Sequence, residues 1–153
     1  MFFGALSLGR IGIIMQIPTE QDWMNYITLD EIVAKKNFFG KTLEEAEAMF
    51  VENALVYEED ILWMHSVPFR YYVHAYINYL LGNQSKFDTE AVSCFLSMIE
   101  FKAKYDQDDL LAVWTRVQET LEHIRKNHDW FNWNESIFGN LEEKTTRLLS
   151  WIK

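Results

Sequence analysis

One cysteine, two prolines and six glycines in 153 residues remove several classes of protein at the outset. A single thiol, Cys94, can form neither an intramolecular disulfide nor a zinc site built on several cysteines, and the expected location is the reducing cytoplasm. Cys94 lies within AVSCFLSMI, an apolar helical run, and reads as an inert core thiol rather than a nucleophile. So few turn-forming residues suit helices better than a turn-rich β fold. Strand signals are missing too: there is no long apolar/polar alternation and no Asn-Gly or Asp-Gly hairpin. Cations are scarce, with 14 Lys and Arg against 23 Asp and Glu, a net charge of -9. Phosphate recognition needs clustered Lys and Arg, so nucleic acid is excluded as an expected partner, and an anionic membrane surface with it. A basic protein partner fits that charge.

Chemical motifs are also lacking. The chain has no GxSxG, no Walker loop, no GxGxxG and no Glu-x-x-His of the di-iron type. His65, His74, His123 and His128 form neither HxH nor HxxxH. No catalytic residue, cofactor or metal site is therefore assigned, and the chain is expected not to be an enzyme.

What is present is apolar and helical. Hydrophobic residues make up 49% and aromatics 16% of the chain, enough for a dense core in one domain. The first fourteen residues, MFFGALSLGRIGII, stand apart. They have no basic start before the apolar stretch, and Arg10 interrupts a run too short to span a membrane. Residues 1–14 are expected to be a non-native or poorly ordered extension, with a single helical domain over 15–153. Within that domain Thr28 with Glu31, Thr42 with Glu45, and Asn140 with Glu143 read as capping boxes. Pro68 fits the first turn of a helix that Gly82 ends. Asp88 or Thr89 opens the next, and residues 109–126, preceded by Asp108 or Gln107, read as one helix finishing at Arg125 and Lys126. The expected fold is all-α, a compact single-domain bundle of five to seven helices.

Two segments carry the functional question. In PFRYYVHAYINYLL (68–81), a turn of about 100° per residue puts Phe69, Val73, Tyr76 and Leu80 on one face. Tyr72 and Tyr79 flank it, and Arg70, Tyr71, His74 and Asn78 fall opposite. Most of the aromatic load is thus core. The buried hydroxyls need partners, for which carboxylates on the preceding helix are candidates. Arg70, His74, Tyr71 and Asn78 form a weak candidate ligand site. The preceding segment, 42–60, holds six Glu and one Asp, and no Lys or Arg. Leu43, Ala46, Phe50, Ala54, Tyr57, Ile61 and Met64 share one of its faces. Glu45, Glu52 and Glu59 lie opposite at intervals of seven, and like charges on one face repel. Glu45, Glu52, Glu58, Glu59 and Asp60 are the candidate protein-binding residues, read either as a docking surface or as a solvated face.

FFGKTLEEAEAMFVENALVYEEDILWM, then PFRYYVHAYINYLL, then DTEAVSCFLSMIEFK resemble a family of small uncharacterised bacterial proteins. The resemblance covers about residues 20–103. It implies a bacterial, cytoplasmic, all-helical domain and transfers no functional residue. Small acidic proteins of this kind often lie near toxin genes, which is an association only.

Three functions remain open. The first is an acidic protein-binding module, specifically an immunity-type inhibitor of a basic bacterial toxin. The second is a regulatory or structural homo-oligomer using exposed aromatics among Trp130, Phe131 and Trp133. The third is a small-ligand binder or enzyme using Arg70 and His74.

Overall fold

The structure, a computed structural model, describes residues 15–151, so the expected extension at 1–14 lies outside the described residues. Capping sets the first elements. Thr19 accepts the chain into a 3-10 turn, Glu20–Trp23, with its backbone N–H donating to Asp22 Oδ2 at 2.7 Å. Thr28 and Glu31 cap α1 (Leu29–Phe38), and Thr42 and Glu45 cap α2 (Leu43–Leu62), each pair exchanging side-chain and backbone bonds. Such caps satisfy N–H groups that every helix start leaves open. Gly40, at φ 78°, makes the tight link between α1 and α2.

α3 (Ser66–Leu81) carries Pro68 in its first turn and ends at Gly82, before a 3-10 turn at Asn83–Ser85. Asp88 caps α4 (Thr89–Tyr105) through Ala91 N–H. The single helix expected over 109–126 is two: α5 (Gln107–Ala112) and α6 (Trp114–Lys126), parted at Val113 with φ -119° and ψ 14°. The short α7 (Glu135–Phe138) leads to α8 (Leu141–Leu149), which Asn140 caps through Glu143 N–H. The described residues hold eight α-helices, six of them of at least nine residues, and no strand. None of these helices is long and apolar enough to cross a membrane.

α3 is the hub. It packs against α2, α5, α6 and both 3-10 turns, so it is buried nearly all round rather than on one face. Phe69, Val73, Tyr76 and Leu80 are fully buried, as their spacing predicts, and so are Tyr72, Ala75 and Ile77. Tyr76 stacks on Phe50 of α2 at 5.0 Å and meets Phe95 of α4 edge-on at 5.3 Å. Each such pair adds about 0.5–1.5 kcal/mol beyond the area it buries. Val117, Ile99, Trp114 and Leu148 complete the same core, while Tyr57 is only half-buried at its margin. The tyrosine hydroxyls find backbone rather than the expected carboxylates of the preceding helix. Tyr72 donates to the carbonyls of Phe38 and Lys41, and Tyr76 to that of Ala91 at 2.7 Å. Only Tyr79 reaches a carboxylate, Asp88 at the start of α4. The reason is geometric: the long rings project past α2 to the ends of α1 and α4.

Candidate functional site

The acidic segment divides into an outer face and two buried flanks. α2 meets α1, α3 and α4, so its covered arc is wider than one stripe. Glu45, Glu52 and Glu59 are exposed, as expected. Glu58 and Asp60 are not, and they drop out as surface docking residues: they are 5% and 6% exposed. α4 covers Glu58 on one flank, and α1 covers Asp60 on the other, where Asn37 Nδ2 donates to Asp60 Oδ2 at 2.7 Å. Burial raises the Asp60 carboxyl above its usual range. It pushes Glu58 up to about 7, helped by the negative charges of Asp88, Glu90 and Glu59. Glu58 Oε2 has no hydrogen-bond partner among the described residues. A carboxyl in that setting favours its neutral form.

Between the exposed carboxylates lie exposed apolar side chains, which the charge pattern had hidden. Leu55 is 68% exposed, Val56 52% and Val51 50%. α2 also bends here, since Asn53 leaves helical geometry at φ -162° and ψ 77°. The outer face therefore offers Val51, Leu55 and Val56 beside Glu45, Glu52 and Glu59, with no cation from α2 itself. Within this face Glu45 alone is tied down, its carboxylate accepting from Thr42 N–H and held below the usual range by it.

Arg70, Tyr71, His74 and Asn78 were read as one polar face of α3. The structure keeps three of them beside one another and buries what was expected to be open. Tyr71 and His74 are buried, and Asn78 and Arg70 are half-buried. Arg116 of α6 joins His74 and Asn78. Its Nη2 donates to Asn78 Oδ1 at 2.7 Å, and its Nη1 lies 3.3 Å from His74 Nδ1. A guanidinium cannot accept, so His74 Nδ1 is the acceptor and its proton sits on Nε2. Burial, then the Arg116 charge, push His74 down to about 4. Asn78 in turn donates to Glu47 Oε2 at 2.8 Å, and Arg116 Nε lies 3.4 Å from Glu119. Tyr71 stays outside this seam and packs edge-on against Tyr72.

Arg70 does not meet Glu58, Glu59 or Asp60, its neighbours in sequence. Its Nε donates to Asp109 Oδ1 of α5 at 3.1 Å. Behind it lies Lys102 of α4, fully buried, with Nζ 3.3 Å from Asp106, 4.0 Å from Asp109 and 4.3 Å above the Phe69 ring. Arg116, Asp109 and Lys102 were missed from sequence. Lys102 had a signal, because Phe95, Ile99 and Lys102 follow helical spacing and place it on the buried face.

The remaining candidates are structural. Phe131 is fully buried, and Trp130 and Trp133 pack partly against the core, the latter donating to the Gly139 carbonyl at 2.8 Å. They do not supply the exposed aromatic surface expected for self-association. Cys94 is half-buried, and burial pushes its thiol up to about 12, next to the Tyr76 hydroxyl. Among the described residues no group of three or more His, Cys, Asp or Glu is placed to hold a metal ion.

No family model, curated protein or solved structure matches this chain. The likeness noted over residues 20–103 therefore stands as an expectation, and the functional reading rests on the site alone.

Proposed function

We propose that the chain is a protein-binding module that holds a basic protein on the outer face of α2, as an immunity-type inhibitor of a basic toxin would. The observation that carries this reading is the exposed apolar group Val51, Leu55 and Val56, set beside Glu45, Glu52 and Glu59 with no cation on the helix. Residues three and four apart form the kind of face that helices present to grooves. The apolar centre supplies desolvation, and the acidic row supplies steering and register toward a cationic surface. Occlusion of a basic groove asks no chemistry of the inhibitor. The test is retention from the host's own lysate by the full chain, with bound proteins identified by mass, against a Glu52→Lys/Leu55→Asp variant of matched stability. A basic protein retained at low salt and lost on the variant supports the reading. Equal retention by both, or retention of nothing basic, overturns it.

A second reading, homo-oligomerisation, draws on a different surface. Ile27 and Leu29 at the start of α1 are 76% and 77% exposed, and Ile32 of the same helix is half exposed. Two copies meeting there would bury apolar area without bringing the α2 carboxylates together. A dimeric mass in solution that Leu29→Asp reduces to a monomer favours this reading; a monomeric parent removes it.

A further inference from the structure

α3 and the α5–α6 break enclose a cleft of about 280 Å³, close to the small end of ligand pockets. It lies apart from the outer face of α2. Its polar wall is Arg70, His74, Thr115 and Arg116, and its apolar wall is formed chiefly by Leu111, Val113 and Trp114. We propose that this cleft binds a small organic carboxylate with an apolar body.

Arg70 supplies a cation of the polar wall. Among the described residues only its Nε is engaged, by Asp109, which leaves the two Nη groups of a half-exposed guanidinium as a planar pair of donors. Such a pair matches a carboxylate edge. The guanidinium is held in place, because Asp109 is itself buried and anchored beside Lys102. His74 is fixed as the Nε2–H tautomer by Arg116, and so is a neutral donor. The start of α6 adds to the same polarity. Its cap position is Val113, whose side chain has no oxygen to accept the first-turn N–H groups, and that end of a helix favours negative charge. Arg70, the neutral donor His74 and the helix start thus offer donors and one accessible cation at the polar wall. Leu111, 52% exposed, and Trp114 offer contact area opposite.

The carboxylates nearby decide the charge of the ligand. Asp109 sits on Arg70, and Glu119 sits on Arg116, so the cleft is close to neutral as a whole. A dianion such as phosphate would meet Asp109 at close range without a second open cation among the described residues. A single negative charge on an apolar body fits both the one free guanidinium edge and the apolar wall.

The experiment titrates the full chain with benzoate, followed by backbone amide NMR, with benzamide as the neutral isostere and inorganic phosphate as the dianion. Saturable shifts confined to Leu111–Arg116 and Arg70–His74 are expected with benzoate. Benzamide and the Arg70→Gln variant should each bind about tenfold more weakly, the factor implied by one lost charge-assisted hydrogen bond. Equal binding of benzamide and benzoate to the unaltered protein overturns the proposal, whatever the variant does. Saturation by phosphate but not benzoate, shifts scattered over the surface, or undiminished binding by folded Arg70→Gln overturn it equally.

Discussion

α2 and α3 are neighbours of similar length, and both are dense in one residue class, yet they use it in opposite ways. Tyr72, Tyr76 and Tyr79 of α3 each donate their hydroxyl to a fixed acceptor, whereas Glu52 and Glu59 of α2 face solvent. The difference is how far each helix is enclosed. α3 is enclosed by α2, α5, α6 and two turns, while α2 keeps one side open. Enclosure turns a polar group into a fixed structural part, because a buried donor or acceptor must be matched. An open side leaves charge free to meet a partner. Glu58 is the intermediate case, an α2 carboxyl that falls under α4 and shifts toward its neutral form.

The largest expected effect is on the enclosed helix. Tyr76→Ala removes a fully buried ring that touches Phe50 and Phe95, and should lower stability by about 3–5 kcal/mol. Tyr76→Phe keeps the ring and loses only the bond to the Ala91 carbonyl, a loss of about 1 kcal/mol. Urea unfolding of the pair checks both figures. Equal losses would mean that the hydroxyl, not the packing, fixes α3.

The next effect is hidden in the parent and appears in variants. Glu58 rises from 4.5 to about 7 on folding, so the folded chain binds its proton more tightly than the unfolded chain. Its contribution is full below pH 4.5 and is lost as pH rises toward 7. His74 falls from 6.5 to about 4, so its contribution is full above pH 6.5 and is lost as pH falls toward 4. Each amounts to up to about 3 kcal/mol, and between pH 4.5 and 6.5 their slopes oppose. Subtracting variant from parent unfolding free energies across pH 4.5–7.5 separates them. Relative to the parent, Glu58→Gln should gain stability as pH rises and His74→Gln should lose it. Two difference curves of the same sign would contradict the placement of one group.

The smallest effect is on the open side. Glu52→Lys should change stability by less than about 1 kcal/mol, as exposed charges usually do. Its consequence belongs to association, where a slower on-rate and a flatter salt dependence toward the proposed basic partner are expected in stopped-flow mixing. A clear drop in melting temperature instead would show that Glu52 belongs to an internal network.

Local chemistry made much of this legible in sequence. Thr28 with Glu31 and Thr42 with Glu45 mark their helices because a cap is decided within four residues. The core face of α3 followed from its period. The break at Val113 was invisible, since an apolar residue there continues the pattern of its neighbours. Glu58 and Asp60 were misplaced because α1 and α4 decide their burial, and those contacts lie 23 or more residues away along the chain. Arg70 and His74 were found together by helical spacing. Arg116, which orients His74 from 42 positions further on, carried no local signal, and neither did the exposure of Leu55, which depends on which neighbours cover α2.

Lys102 has a practical consequence. Of the chain's nine lysines, it is buried, with its amine closed in by Asp106, Asp109 and the Phe69 ring. An amine-acylating reagent should label exposed lysines such as Lys36 within its own reaction time, while Lys102 waits for the bundle to open. The lag before that last acyl group appears in a mass spectrum is then a clock for global unfolding, read in native buffer without denaturant.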